Sequence, residues 1–122
     1  MPPNIKVYRV HRLLAVLYGL LMLACGLAVF FGTRGAGMSF AASAGAVSPL
    51  VLFFGGIAAA HDYTAQACRK GKSGGRTAST VIACFMLLGF PIGTLIGAYL
   101  LYNNSGWPKG DEAMTPEAKL DF

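Results

Sequence analysis

Acidic residues are scarce in this chain, five in 122, and charge of either sign makes up only 12% of it. Soluble domains carry roughly 25% charged residues, so the composition sets this chain apart from them. The little charge present is also segregated: residues 13–33, 35–61 and 77–108 hold no Asp, Glu, Lys or Arg at all. Proton relays and ion pathways place ionisable groups at mid-membrane depth, and none of these stretches offers one. Proton-coupled transport by the chain alone is therefore unsupported. Paired carboxylates, Ser-His-Asp and Cys-His sets are equally lacking, which leaves hydrolytic and acid/base catalysis without machinery and points to a chain that is not an enzyme. The three cysteines, Cys25, Cys68 and Cys84, have no metal-ligand spacing. Cys25 and Cys84 fall in apolar stretches, where a thiol behaves as a small hydrophobe. Cys68 sits beside basic residues that would favour its thiolate, but no resolving partner or base accompanies it. No cofactor or metal is expected.

What is abundant is apolar sequence, 55% of residues. Each charge-free stretch exceeds the roughly 18–20 residues that a helix needs to cross about 30 Å of hydrocarbon. The expected fold is all-α, an integral membrane protein with three transmembrane helices over about 13–32, 41–62 and 78–102. A cytoplasmic N-terminal segment, 1–12, precedes this 13–102 transmembrane domain, a basic cytoplasmic loop, 67–77, lies within it, and an external tail, 103–122, follows. Basic-then-apolar order also begins a secretory signal, but the apolar run continues past Cys25 through Val29, Phe30 and Phe31. In the second span, Phe40 and the small residues up to Ser48 lead to Pro49. A helix starting near Ser39 is favoured, because the ten or so apolar residues after Pro49 could not span alone. Pro91, inside the third span, removes a backbone hydrogen bond and crowds the carbonyl four residues back, near Leu87, so a kink is expected there.

Orientation follows from lysine and arginine in the short loops. Lys6, Arg9 and Arg12 with Arg69, Lys70, Lys72 and Arg76 make seven on one side, against Arg34, Lys109 and Lys119 on the other. That places the N-terminus and the 67–77 loop in the cytoplasm and the tail outside. Tyr8 and Tyr63 would mark the inner boundary, and Phe40, Tyr102 and Trp107 the outer one.

Three features carry functional expectations. Gly89, Gly93 and Gly97, four apart, lay a bare backbone face on the third span, a glycine zipper against which another helix can pack closely. That face either packs this chain's own helices or, as the functional expectation, binds a partner helix with Pro91 beside it. Ala15 with Gly19, Gly55 with Ala59 and Gly56 with Ala60 are weaker versions. His11, Arg12, His61 and Asp62 form an expected interfacial cluster, with Asp62 paired to Arg12 or to a loop lysine. Arg69, Lys70, Lys72 and Arg76 suit anionic lipid headgroups, each charge contributing on the order of 1 kcal/mol. Gly71, Lys72 and Ser73 look like the end of a phosphate loop, but Gln66 stands where its first glycine belongs and no strand precedes it, so nucleotide binding is rejected. Without a folded soluble module, nucleic-acid binding is likewise set aside. Asn103, Asn104 and Ser105 match a short glycosylation pattern.

The stretch GFPIGTLIGAYLLY, residues 89–102, resembles the terminal span of a loose group of small, mostly uncharacterised bacterial inner-membrane proteins. In that group an apolar helix ends in Phe-Pro-Ile-Gly-Thr followed by Gly-x-Tyr, and His61 with Arg69, Lys70, Gly71 and Lys72 is similar to its upstream pattern. The resemblance covers residues 60–102 and implies a bacterial inner-membrane location without a known chemistry. The resulting expectation is a non-enzymatic accessory or assembly subunit that meets membrane lipids and other subunits, or itself, through its third span. A self-associating transport or permeation element is the alternative.

Overall fold

The computed structural model of the protein describes residues 1–89 and 91–107. Among them are four helices, α1 (Pro3–Gly35), α2 (Phe40–Arg69), α3 (Ser73–Leu87) and α4 (Ile92–Ser105), and no strand. Two of them, α1 and α2, are long and apolar enough to cross a membrane, and few side chains in their apolar stretches are buried. By contacts the chain divides into two units, Leu13–His61 and the remainder, Met1–Arg12 with everything from Asp62 onward.

The Leu13–His61 unit is a helical hairpin of α1 and α2. Both helices outlast the apolar runs that nucleate them, and the reasons lie in their ends. At the end of α1, Met38 N–H bonds to the Thr33 carbonyl (3.1 Å) and Gly37 N–H to that of Arg34 (3.0 Å), a Schellman closure. It requires a left-handed residue, supplied by Gly37 at φ +83°. Arg34 then donates to the Met38 carbonyl, 2.8 Å, and the Ser39 hydroxyl caps α2 by accepting from Ala42 N–H at 3.2 Å. The small-residue stretch 40–48 is thus helical, as the longer reading of the second span expects. Pro49 leaves the Gly45 carbonyl without its intrahelical donor, and the Ser48 hydroxyl fills the gap at 2.6 Å, so the helix runs through. Inside the hairpin, a Cβ on Gly55 would lie 3.2 Å from the Met22 sulfur, and one on Gly26 would lie 3.4 Å from Val47.

The other unit assembles the first turns of α1, the last turns of α2, and α3 with α4. Its core is Val7, Cys68, Ala83, Leu100 and Trp107. The link from α2 to α3 is a second Schellman closure: Lys72 N–H to Ala67 O at 3.1 Å and Gly71 N–H to Cys68 O at 3.0 Å, with Gly71 at φ +65°. Gly75 brings the start of α3 directly onto α2, where an added Cβ would meet Ala67 and Cys68 backbone atoms at 2.7 Å.

Several expectations are corrected here. The third span is not one helix over 78–102 kinked at Pro91: α3 ends at Leu87, α4 begins at Ile92, and the two run back along each other. Their pairing is antiparallel, with Thr94 Oγ1 donating to the Leu87 carbonyl at 3.0 Å, Gly97 against Ala83, and Asn104 donating to Ser79 at 3.1 Å. Pro91 therefore breaks the helix, and the carbonyl it frees is taken by Thr94 in the next helix. The basic loop expected at 67–77 shrinks to Lys70, Gly71 and Lys72, with Ala67 in α2 and Ser73 already in α3. The segment 1–12 is helical from Pro3, where a proline suits the first turn. Of the segment 103–122, Asn103, Asn104 and Ser105 belong to the end of α4, and Trp107 enters the core with Val7. The C-terminal end of α4 lies at the same end of this unit as residues 1–12. Lys109, Lys119 and the tail's acidic residues lie outside the described residues.

Candidate functional site

Polar side chains should line the surface of a small helical unit and leave its core apolar. Here the core holds Asn4, His11, Thr64, Ser79, Asn103 and Asn104, all buried. Buried polar groups are tolerated when they are hydrogen-bonded. His11, Ser79 and Asn104 bond to one another, while Asn4 and Asn103 donate to backbone carbonyls; the Asn4 and Asn104 amide oxygens make no such bond. His11 Nε2 lies 2.9 Å from the Ser79 hydroxyl. The Asn104 amide donates to that same hydroxyl at 3.1 Å and to Thr80 Oγ1 at 3.2 Å. Thr80 in turn donates to the Arg76 carbonyl at 2.9 Å, and the Asn4 amide to that of Cys68 at 3.3 Å. Four chain segments are joined by these bonds: the first turns of α1, the end of α2, the start of α3 and the end of α4.

A serine hydroxyl within hydrogen-bond reach of a histidine has the form of a nucleophile and its base. Here both residues are fully buried, and the hydroxyl is already engaged by His11 and by Asn104. The arrangement ties the start of α3 and the end of α4 to the first turns of α1. Cys68 is part of it: fully buried, it donates its thiol to the Gly75 carbonyl at 3.6 Å. Basic neighbours in the sequence therefore do not make it a reagent-accessible thiolate.

The expected interfacial cluster resolves into separate arrangements. Arg12 and Asp62 form the anticipated ion pair, and Gln66 donates to the other Asp62 oxygen at 2.8 Å. With both partners substantially exposed, such a pair contributes about 0–1 kcal/mol. His11 turns instead to Ser79, and His61 stacks on Tyr18, ring centroids 5.6 Å apart and planes 8° from parallel. Among the described residues no three His, Cys, Asp or Glu side chains are grouped to hold a metal. Asn103 is buried and donates to the Tyr99 carbonyl at 2.9 Å, which removes it as a glycosylation acceptor.

The glycine run also divides. Gly89 lies in the turn between the helices. A Cβ on Gly93 would come within 2.5 Å of the Met86 carbonyl oxygen, and one on Gly97 within 2.7 Å of that of Ala83. Their bare backbone faces α3 of the same chain, so Gly93 and Gly97 join two helices of this molecule. Open glycine surface is found instead on α2, where Gly45 and Gly56 are exposed and a Cβ would meet nothing within 4 Å. Eleven residues apart, they share a helix face. Of the basic residues, Lys70, Lys72 and Arg76 are exposed and Arg69 is half-buried. An open apolar groove of about 320 Å³ runs between α1 and α2, lined by Met22, Gly26, Phe30, Ala44, Val47 and Val51 among others.

The sequence does not single out Ser79, and it offers Asn104 and Trp107 only as part of a glycosylation pattern and as a boundary aromatic, not as core residues. Their local signal is weak: Gly75, Ser79 and Ala83 repeat every four residues as the small, buried face of α3, and Asn103 with Asn104 ends an otherwise apolar helix. No protein-family model, curated protein or solved structure matches the chain.

Proposed function

We propose that this chain is a non-enzymatic accessory or assembly subunit of a bacterial inner membrane, with its N-terminus cytoplasmic, that receives a partner helix on the open face of α2. The observation that carries this reading is the vacant glycine face at Gly45 and Gly56, beside exposed Leu52. In lipid, hydrophobicity does not drive one helix onto another, and close backbone approach at small residues does. The third span, whose glycines pack α4 on α3, no longer serves as the partner surface. The basic residues of segment 1–12 and of the α2–α3 link support the orientation, and they suit contact with anionic headgroups.

Purification from native membrane in mild detergent, followed by native sizing, tests the reading. Wild-type protein is expected with a co-purifying chain, and Gly56→Leu without it. Because the site is open, Gly56→Leu should leave the thermal midpoint of the chain itself unchanged. A lone monomer in the wild type would sink the proposal. A homo-oligomer dispersed by Gly56→Leu would instead assign the same face to a second copy.

A further inference from the structure

We infer that the α3–α4 hairpin enters the hydrocarbon from the side of residues 1–12 and returns the chain to that side without crossing. Its occupant surface is lipid acyl chain. At about 1.5 Å per residue, the 15 residues of α3 and 14 of α4 reach only about 22 Å, short of the roughly 30 Å hydrocarbon layer. Both ends of the hairpin are tied together and to the N-terminal segment, through Asn104, Ser79 and His11. Its far end cannot therefore emerge on the opposite side.

The surface around the tip is apolar and uncovered, with Phe85 71%, Leu88 82%, Ile92 70% and Leu95 73% exposed. No Asp, Glu, Lys or Arg occurs from residue 77 to 108. Lys70, Lys72 and Arg76, all exposed, stand at the opposite, polar end of α3, where a headgroup layer would meet them. Among the described residues of the tip, three backbone groups are bonded within the hairpin. Leu88 N–H bonds to Phe85 O at 3.1 Å and Gly89 N–H to Met86 O at 2.9 Å. The Leu87 carbonyl, which water could serve at an aqueous turn, is taken by Thr94. Internal satisfaction of this kind is what a turn in hydrocarbon requires.

The test uses the full chain in sealed lipid vesicles, with an epitope at each terminus and one thiol on the hairpin. Leu88→Cys is placed in a Cys25→Ala, Cys84→Ala background. Native Cys84, exposed on α3, gives a second position in a Cys25→Ala chain with no new substitution on the hairpin. Both epitopes should be digested or protected together. A hydrophilic maleimide should label either thiol at least about tenfold more slowly than after detergent is added. A fluorophore at position 88 should be quenched by lipids brominated deep in the acyl chain. Epitopes on opposite sides would overturn the inference, and so would fast labelling in intact vesicles, which puts the hairpin in water. A fluorophore neither labelled from water nor quenched by lipid would overturn it too, since protein would then cover the tip.

Discussion

At the scale of single residues, two buried side chains, His11 and Asn104, share the Ser79 hydroxyl. Ser79→Ala leaves His11 Nε2 and one Asn104 donor without their shared oxygen inside a buried unit. A buried polar group stripped of its partner costs about 1–3 kcal/mol, so a clear fall in thermal midpoint in detergent is expected. The neighbouring Thr80→Val, which removes one of Asn104's two acceptors, should lower it less. Ser43 presents the reverse case: its hydroxyl is buried on α2 and makes no hydrogen bond. Ser43→Ala removes an uncompensated polar group and is expected to raise the midpoint, by about 1 kcal/mol in stability. An unchanged or lower midpoint would mean that the hydroxyl has a partner. Glycines follow the same logic. Gly97→Ala drives a methyl to 2.7 Å from a backbone oxygen that cannot easily yield, and overpacking of this kind costs typically about 1–3 kcal/mol. That loss, set against a silent Gly56→Leu, separates a glycine used within the chain from one left open.

At the scale of elements, two prolines of the same chemistry have opposite outcomes, and the difference lies in which hydroxyl reaches the freed carbonyl. Pro49 frees Gly45 O, which Ser48 of the same helix takes, and α2 continues. Pro91 frees Leu87 O, which Thr94 takes from the next helix after the chain has turned. This explains why the break was not legible. Residues 78–102 are long enough for one span, so length did not discriminate, and a proline in an apolar run permits either a kink or a break. The deciding contacts, Ser79 to Asn104 and Ala83 to Gly97, join residues far apart in sequence that no local pattern pairs. By contrast the apolar runs of α1 and α2 were legible, because charge-free stretches long enough to span are a local signal, whereas the extension of both helices beyond those runs was not. The Pro49 account can be checked by a double-mutant cycle. Ser48→Ala alone is expected to destabilise by about 0.5–1.5 kcal/mol. In a Pro49→Ala background, position 49 regains an N–H for Gly45 O and the serine becomes dispensable. Equal losses in both backgrounds would remove Ser48 from that role.

At the scale of the whole molecule, the folded-back hairpin changes the charge balance on which orientation rests. A third span that crossed would set seven basic residues against three, with Lys109 and Lys119 outside beside Arg34. With the chain returning at Asn104 and Trp107 to the end that holds residues 1–12, Arg34 is the lone lysine or arginine among the described residues at the far end of α1. On that topology Lys109 and Lys119 count on the side of residues 1–12, and the balance becomes nine against one. Neutralising Lys70, Lys72 and Arg76 to glutamine then leaves six against one, and orientation should hold, because the bias near the span ends is still one-sided. Had the third segment crossed, the same triple substitution would leave four against three, and the chain would insert in both orientations. Paired reporters, one active only in the cytoplasm and one only outside it, fused in turn to each terminus of the triple variant, distinguish the two. Cytoplasmic signal from both termini is the expected result, and it does not depend on any partner at Gly56. A mixed signal at either end would return the molecule to a weaker bias than the hairpin implies.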